Sequence, residues 1–215
     1  MGFVAGAAAA LVALSRPLVD LPEVKPITSK SERGEIVESF FIDAPADAVA
    51  LTHSGKLPFA AFPRSIALFS EPAIERGLAL LVRLRNAAGE VIGFASELEV
   101  HPAGRAFGDD VAWKTDWTVV LPGRGALFLH QQERSGELGR TLLEQVRATG
   151  RPWQGDVAFQ TSAGPGPQGR GIIVGGTGEF AGAAGGFLEI DRVTRLTPDG
   201  ALEGTFELRL FRDAR

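Results

Sequence analysis

The stretch that decides the fold is RGIIVGGTGEFAGAAGGFLEIDRV, residues 170–193, in which seven glycines between Gly171 and Phe187 separate two apolar runs. Glycines at this density serve either a loop that holds a phosphate at the start of a helix or a sharp turn between strands. A dinucleotide-binding loop must open a helix with further strand–helix units behind it. Here GEFAGAAGG is too rich in glycine for a helix, and the residues after Gly186 alternate like two strands. The stretch therefore predicts a turn between two barrel strands and no nucleotide site.

The glycines of this stretch are assigned a structural role. Glycine permits positive φ and the close approach of two backbones, and a strand needs both where it bends into the next strand. The predicted structural turn uses Gly175, Gly176, Gly178, Gly182 and Gly185.

The chain from Leu78 onward alternates with the period of β-strands. Turn signals rich in proline and glycine at residues 86–90, 122–125 and 197–200 divide it into hairpins. Roughly eight strands with short connections favour closure, because a barrel has no exposed sheet edges. The predicted fold class is all-β: a closed antiparallel eight-stranded barrel with one inserted helix and an apolar N-terminal arm.

Two segments have helical signals. Leu142 and Val146 repeat at helical spacing within residues 137–149, and Gly150 follows as a terminator, so this segment is the predicted inserted helix. A second, short helix is predicted in PADAVALTHSG, where Asp43 precedes the segment as its cap.

The N-terminal arm is predicted to be a separate region. Residues 1–30 combine an uncharged apolar run with a proline-rich linker, and residues 31–215 form the barrel domain. The apolar run is short for a membrane-spanning helix and lacks the basic start of a secretory signal. Three interpretations remain: a helix packed on its own domain, a segment of residues 1–20 that docks on a partner subunit or membrane surface, or a signal remnant. Localisation stays undetermined, with the cytoplasm or a membrane surface favoured and export left open.

Composition excludes several function classes. A net charge of -4 and the absence of any Lys/Arg run argue against a nucleic-acid partner. The chain has no cysteine, so a thiolate nucleophile or a disulfide is impossible. Its three histidines, His53, His101 and His130, are too scattered for a ligand pair, and no metal site or cofactor is predicted.

The glycine-rich stretch resembles a signature found near the carboxyl end of allene oxide cyclase and dirigent-type barrels. The matching residues, in order, are Gly175, Gly176, Thr177, Gly178, Phe180, Gly182, Ala183 and Gly185. The resemblance implies an eight-stranded antiparallel barrel, often trimeric, with an apolar cavity and no cofactor, that guides the cyclisation or coupling of reactive hydrophobic intermediates. The inserted helix and the long arm depart from the plant members, and the chain lacks the tyrosine and cysteine that those enzymes use.

A second, shorter resemblance competes with the first. VESFFIDAPADAVALTHSG is similar to the opening of helix-grip lipid-binding proteins, in which a strand runs into a helix. Those proteins end in a long helix, whereas this chain ends in the alternating segment LEGTFELRLFRDAR.

One strand is predicted to present tryptophan to the barrel interior. In AWKTDWTVV, Trp113 and Trp117 lie on one face, and Lys114 and Asp116 lie on the other. The tryptophan face either lines a cavity or fills the core or a subunit interface.

The neighbouring strand has a row of charged residues, Glu97, Glu99 and His101, on one face. Such a row is typical of a solvated outer face, where Lys114 and Asp116 would pair with it across the strands. Inside an apolar barrel, the pKa of a carboxyl would instead rise and the group could act as acid or base.

The predicted function follows from the barrel and its resemblance: a hydrophobic small molecule binds inside and its cyclisation or isomerisation is templated, without a cofactor. The alternatives are a non-catalytic structural or docking subunit and a helix-grip lipid-binding protein. A homo-oligomer or a partner subunit is expected. The candidate catalytic residues are Glu97, His130 and Asp116, and the candidate ligand-binding residues are Trp113, Trp117, Phe128 and Phe159.

Overall fold

The computed structural model describes residues 28–30, 35–44, 46–53, 66–69, 77–101, 112–134 and 142–212. The strands in these ranges join into a single sheet. They are β1 (Thr28–Lys30), β2 (Glu35–Ala44), β3 (Ala48–His53), β4 (Ile66–Phe69), β5 (Gly77–Arg85), β6 (Val91–Val100), β7 (Ala112–Leu121), β8 (Gly125–Arg134), β9 (Trp153–Gln160), β10 (Ser162–Gly164), β11 (Gly171–Gly176), β12 (Gly185–Leu196) and β13 (Leu202–Arg212). A helix, α1 (Glu144–Thr149), precedes β9, and single 3-10 turns span Pro167–Gly169 and Gly178–Phe180.

Eight of these strands close into a ring. The order is β2-β13-β12-β11-β8-β7-β6-β5, every neighbouring pair is antiparallel, and β5 returns to β2 where Phe41 pairs with Arg85. The predicted closed antiparallel eight-stranded barrel is therefore confirmed.

The other five described strands, β1, β3, β4, β9 and β10, pair with strands of the ring or with each other. β1 pairs with β2, β3 pairs with β5, and β4 runs parallel to β3. Between β12 and β8, β11 fills the ring at one end, whereas β9 on the β12 side and β10 on the β8 side fill it at the other. This second end of the barrel holds the candidate site.

The first end of the barrel is filled by apolar side chains. Alternate residues of each strand point inward, as the two-residue period of a strand requires. The largest fully buried apolar side chains of this core are Phe40, Leu84, Leu127, Leu129, Phe187 and Leu208. Burial of this apolar surface is the main stabilising term of the barrel.

The glycine-rich stretch turns sharply between β11 and β12, as predicted. Thr177 donates its backbone N–H to the Ala126 carbonyl at 2.8 Å, and Glu179 donates its own to the Arg124 carbonyl at 2.7 Å. Gly178 lies between these bonds with φ +59°, a conformation that favours glycine. The single 3-10 turn at Gly178–Phe180 is not continued as a helix.

Arg124 fastens this turn to the apolar end of the barrel. Its guanidinium donates to both carboxylate oxygens of the buried Glu38, at 2.8 and 3.0 Å, and to Glu179 at 2.9 Å. The guanidinium also lies 5.3 Å from the centre of the Phe180 ring. These contacts tie the β7–β8 turn, β2 and the glycine-rich turn together.

The prediction of a short helix after Asp43 is wrong. The chain makes one turn, in which Asp47 donates its N–H to the Asp43 carbonyl at 2.6 Å, and then continues as strand β3. The buried Asp47 carboxylate accepts two hydrogen bonds from Arg85, at 2.6 and 2.7 Å. This pairing and the ladder from β3 to β5 outweigh the weak helical propensity of the segment. The helix-grip interpretation required a helix in this segment, and the described residues there form strand β3 instead.

The inserted helix is present in the described part of its predicted range. α1 ends at Gly150, which has φ +61° as a helix terminator should. Leu142 and Val146 pack with Phe159 and Leu196 in a second, smaller core. The start of the predicted helix and residues 1–27 of the arm lie outside the described residues. In the described part of the chain, no helix has the length and apolar character needed to cross a membrane.

Candidate functional site

The second end of the barrel encloses a cavity of about 180 Å³. It lies where β6 and β8 end and where β7 and β13 begin. Much of its wall is apolar and aromatic; the wall includes Leu78, Val82, Trp113, Trp117, Phe159 and Phe206. A concave apolar space with a few polar groups is the usual form of a small-molecule site.

Five acidic side chains from three strands also line this cavity. The two-residue period places Glu97 and Glu99 on the inner face of β6, Glu133 on that of β8, and Glu189 and Asp191 on that of β12. One carboxylate oxygen from each of Glu97, Glu99 and Glu133 lies within 4.8 Å of the other two. The antiparallel registers bring these residues together although they are distant in sequence.

The expectation that Glu97, Glu99 and His101 form a solvated outer face is wrong. All three are buried, and they continue the inner face that begins with Gly93 and Ala95. The alternation of β6 is ambiguous because its outward residues include apolar ones. Phe94, for example, is 44% exposed.

Burial perturbs the proton affinity of this acid group. Desolvation raises the pKa of Glu133 to about 8 and that of Asp191 to about 7. Desolvation, reinforced by the charges of the neighbouring acids, also raises the pKa values of Glu97 and Glu189 well above the ordinary glutamate value. These four acids therefore bind their protons more tightly than solvated carboxyls do.

A hydrogen-bond network positions two of the acids. The Gln131 amide donates to Glu133 at 2.6 Å and also to Glu189. The Trp117 indole N–H donates to Glu189 at 2.9 Å. Ser162 donates its hydroxyl to the Gln131 side-chain oxygen at 2.5 Å and accepts the Glu189 backbone N–H at 2.8 Å. Glu133 and Glu189 are thus held in place by the barrel wall.

Glu97 and Glu99 have different surroundings. The Glu99 carboxylate lies 2.8 Å from His101 Nε2, and the His101 ring lies 5.2 Å from that of Trp113. Glu97, which is 8% exposed, makes no hydrogen bond with any described residue and faces the cavity. Of the five acids, Glu97 is therefore the one with its carboxyl oxygens most available to a ligand.

The structure separates the predicted site residues into two groups. Glu97, Trp113, Trp117 and Phe159 all line the cavity. The others lie on the outer wall, because they alternate with inward residues of the same strands: Asp116, His130 and Phe128. The His130 Nδ1 and Asp116 Oδ1 atoms are 2.8 Å apart there, and Phe128 is 38% exposed.

Sequence reasoning missed Glu133, Glu189 and Asp191. The two acids of β12 could have been found from the two-residue period of a strand. In FLEIDRV, Phe187 and Val193 are buried, and alternation from either residue places Glu189 and Asp191 on the same inner face. The three clustered glutamates Glu97, Glu99 and Glu133 also have the donor type that hard cations prefer. The prediction of no metal site rests on the spacing of the histidines alone and therefore does not consider these glutamates.

Comparisons with known proteins give distant likenesses in fold. No protein-family model matches the chain, and no curated protein matches it. One similar solved structure is that of a nonspecific heme-binding cyclase that catalyses a cycloaddition in neoabyssomicin biosynthesis. It has 14% identity and a TM-score of 0.43, and the match covers 98% of this chain and 80% of that one. A pyocyanin demethylase has 15% identity and a TM-score of 0.40, over 82% of this chain and 99% of that one. Likenesses this weak carry no argument about function, and the resemblance to allene oxide cyclases and dirigent proteins remains a prediction.

Proposed function

We propose that the barrel binds a hydrophobic small molecule in its interior cavity and templates the cyclisation or isomerisation of that molecule. The observation that supports this function is the combination of an apolar, aromatic wall with a group of buried acids in one cavity of about 180 Å³. Confinement in such a space holds a flexible substrate near its reactive geometry and excludes water.

The acids supply the proton transfers that such a reaction needs. A protonated Glu133 donates its proton to a carbonyl oxygen or an alkene carbon of the substrate, and a deprotonated neighbour removes a proton from an adjacent carbon. Glu133, whose pKa is about 8, and Asp191, whose pKa is about 7, let the group hold both protonated and ionised members near neutral pH. One proton is given and one is taken, so the molecular formula of the substrate is unchanged.

The competing function is that of a non-catalytic docking subunit. Outward apolar side chains, among them Phe94 and the 66% exposed Val174, suit contact with another protein or with a second copy of the chain. The apolar arm proposed for the same role, residues 1–20, lies outside the described residues.

Native mass spectrometry of the protein purified from its own source separates these functions. We expect a small-molecule adduct on the wild-type protein, weakened in Ala48→Leu, which fills part of the cavity. Ala158→Leu makes the same change at an exposed position of β9 and should keep the adduct. Partner subunits without any small-molecule adduct would instead support docking.

The released molecule then tests catalysis. Incubated with the protein, it or its precursor should yield a product of identical mass and different chromatographic retention, because cyclisation and isomerisation conserve mass. Glu133→Gln should slow this conversion by about a hundredfold or more, in the range of a lost general acid, while binding persists. Absence of any mass-conserving conversion would contradict the catalytic part of the proposal.

A further inference from the structure

The cavity has a pronounced asymmetry of charge. Its acids are Glu97 and Glu99 on β6, Glu133 on β8, and Glu189 and Asp191 on β12. In the described part of its wall, the basic side chains are those of Arg134 and Arg192, and both residues are exposed. Arg192 also forms an ion pair with Asp156 at 2.5 Å. His101 lies behind the wall, 2.8 Å from Glu99. The interior thus offers several acids and no buried basic partner among the described wall residues.

Among the cavity acids, Glu97 has the carboxyl that is most available to a ligand. More than nine-tenths of the residue is buried, it faces the cavity, and it makes no hydrogen bond with any described residue. A buried polar group without a partner is costly, and native proteins satisfy such groups with water, an ion or a ligand. Glu97 therefore marks the point at which a polar group of the ligand belongs.

Two indoles line the same cavity as this carboxyl. Trp117 is the Cα partner of Glu97 on the neighbouring strand, and Trp113 lies four residues, or two strand periods, further along the same inner face. Both line the cavity and both are buried. The face of an indole attracts a cation most strongly where water is excluded, and aromatic walls with a carboxylate suit an organic ammonium better than a hydrated metal ion.

We propose that the ligand of this cavity has an apolar body of about one ring and a cationic nitrogen, either a protonated amine or a quaternary ammonium. The nitrogen lies against Glu97 and the indoles of Trp113 and Trp117, and the apolar body lies toward Leu80, Val82 and Phe206. The size follows from the cavity of about 180 Å³, since an apolar cavity of roughly 150 Å³ holds benzene. This inference rests on the proposed function, because it names the class of molecule that the same cavity binds.

The charge balance of binding is defined. The ligand already carries its positive charge in solution near neutral pH. On binding, Glu97 releases its proton to the solvent and becomes the counter-ion of the ligand. The cavity then holds a neutral ion pair of Glu97 and the ligand nitrogen. Binding therefore releases about one proton for each cation bound, and a neutral ligand releases none.

Isothermal titration calorimetry with phenethylamine and phenethyl alcohol tests the inference, because the two probes share a carbon skeleton and differ in charge. At slightly acidic pH, in two buffers of different ionisation enthalpy, we expect phenethylamine to bind at least about tenfold more tightly than the alcohol. Phenethylamine should also release about one proton, which the difference between the buffers measures.

Variants locate the effect. Glu97→Gln should abolish both the preference for phenethylamine and the proton release while leaving the affinity for phenethyl alcohol within about twofold. Glu207→Gln, at an outward-facing position of β13, is the matched control and should behave as wild type. Circular dichroism and thermal unfolding of each variant confirm that it is folded before the comparison is made.

The outcomes are distinct. Equal affinity for the two probes would overturn the cationic ligand and leave the proposed cavity function standing. Binding of neither probe in the millimolar range would count against both. Displacement of phenethylamine by Mn²⁺ or Ca²⁺ in wild type and not in Glu97→Gln would show that the acids serve an inorganic cation, and would likewise overturn the inference.

Discussion

Raising the pH from about 5.5 to about 8.5 is expected to lower the free energy of unfolding by at least about 3 kcal/mol. The cause is the set of buried cavity acids. Glu133 has a pKa of about 8 in the fold against 4.5 as a free side chain, and Asp191 has about 7 against 3.8.

The sign follows from proton counting. Between the two pKa values of each acid, the folded state binds more protons than the unfolded state, so stability falls as pH rises. The contribution of Glu133 is fully present below pH 4.5 and is lost as pH rises through about 8. The contribution of Asp191 is lost as pH rises through about 7. Each unit of pKa difference corresponds to about 1.4 kcal/mol.

Urea unfolding at the two pH values measures this effect. Glu133→Gln removes one titrating acid and should reduce the difference between the two pH values by about 2 kcal/mol or more. Glu207→Gln, whose carboxyl faces outward and pairs with Arg209, should leave the difference unchanged. A protein that is equally stable at both pH values, or more stable at the higher one, would show that the acids are not buried as described.

The second large effect is expected at the glycine-rich turn: Gly178→Ala should destabilise the fold by about 3 kcal/mol or more. A Cβ at Gly178 would overlap the carbonyl oxygen of Arg124 and crowd the backbone of Gly125. The backbone at Gly178 also has φ +59°, which alanine adopts only with strain. The change would therefore disrupt the hydrogen bond from Glu179 to Arg124 that anchors the turn.

Two neighbouring glycines provide matched controls. Gly182 has φ +71° but no described atom within 4 Å of an added Cβ, so Gly182→Ala should cost only the backbone strain, about 1 kcal/mol. Gly175 has open space and no positive φ, so Gly175→Ala should change stability by less than about 1 kcal/mol. Thermal and urea unfolding of the three variants rank the effects. Equal stability of Gly178→Ala and Gly175→Ala would contradict the tight turn.

The architecture was largely predictable because its signals are local and repeated. The hairpin turns contain glycines that do adopt positive φ, among them Gly89, Gly123 and Gly200. The glycine-rich stretch could be distinguished from a nucleotide loop because no helix-forming sequence follows it. The helix after Asp43 was mispredicted because a distant residue, Arg85, decides the conformation of that segment by binding Asp47.

The candidate site was only partly predictable because its residues meet through the registers of separate strands. Trp113 and Trp117 were recognised as one face, and that face proved to be the inner one. Glu97 and Glu99 were expected outside, since buried acids are rare and a charged row on a strand is normally solvated. Their burial becomes evident only when β6 is joined to β7 and β8, where Glu133 completes the group.

The central claim, that a closed barrel holds protonated acids in an interior cavity, is tested most directly by an NMR titration of isotope-labelled glutamate side-chain carboxyl carbons. We predict that at least one resonance titrates near pH 8 and that this resonance is absent from Glu133→Gln. If every glutamate resonance titrates in the ordinary range, the carboxyls are solvated and the cavity described here does not exist.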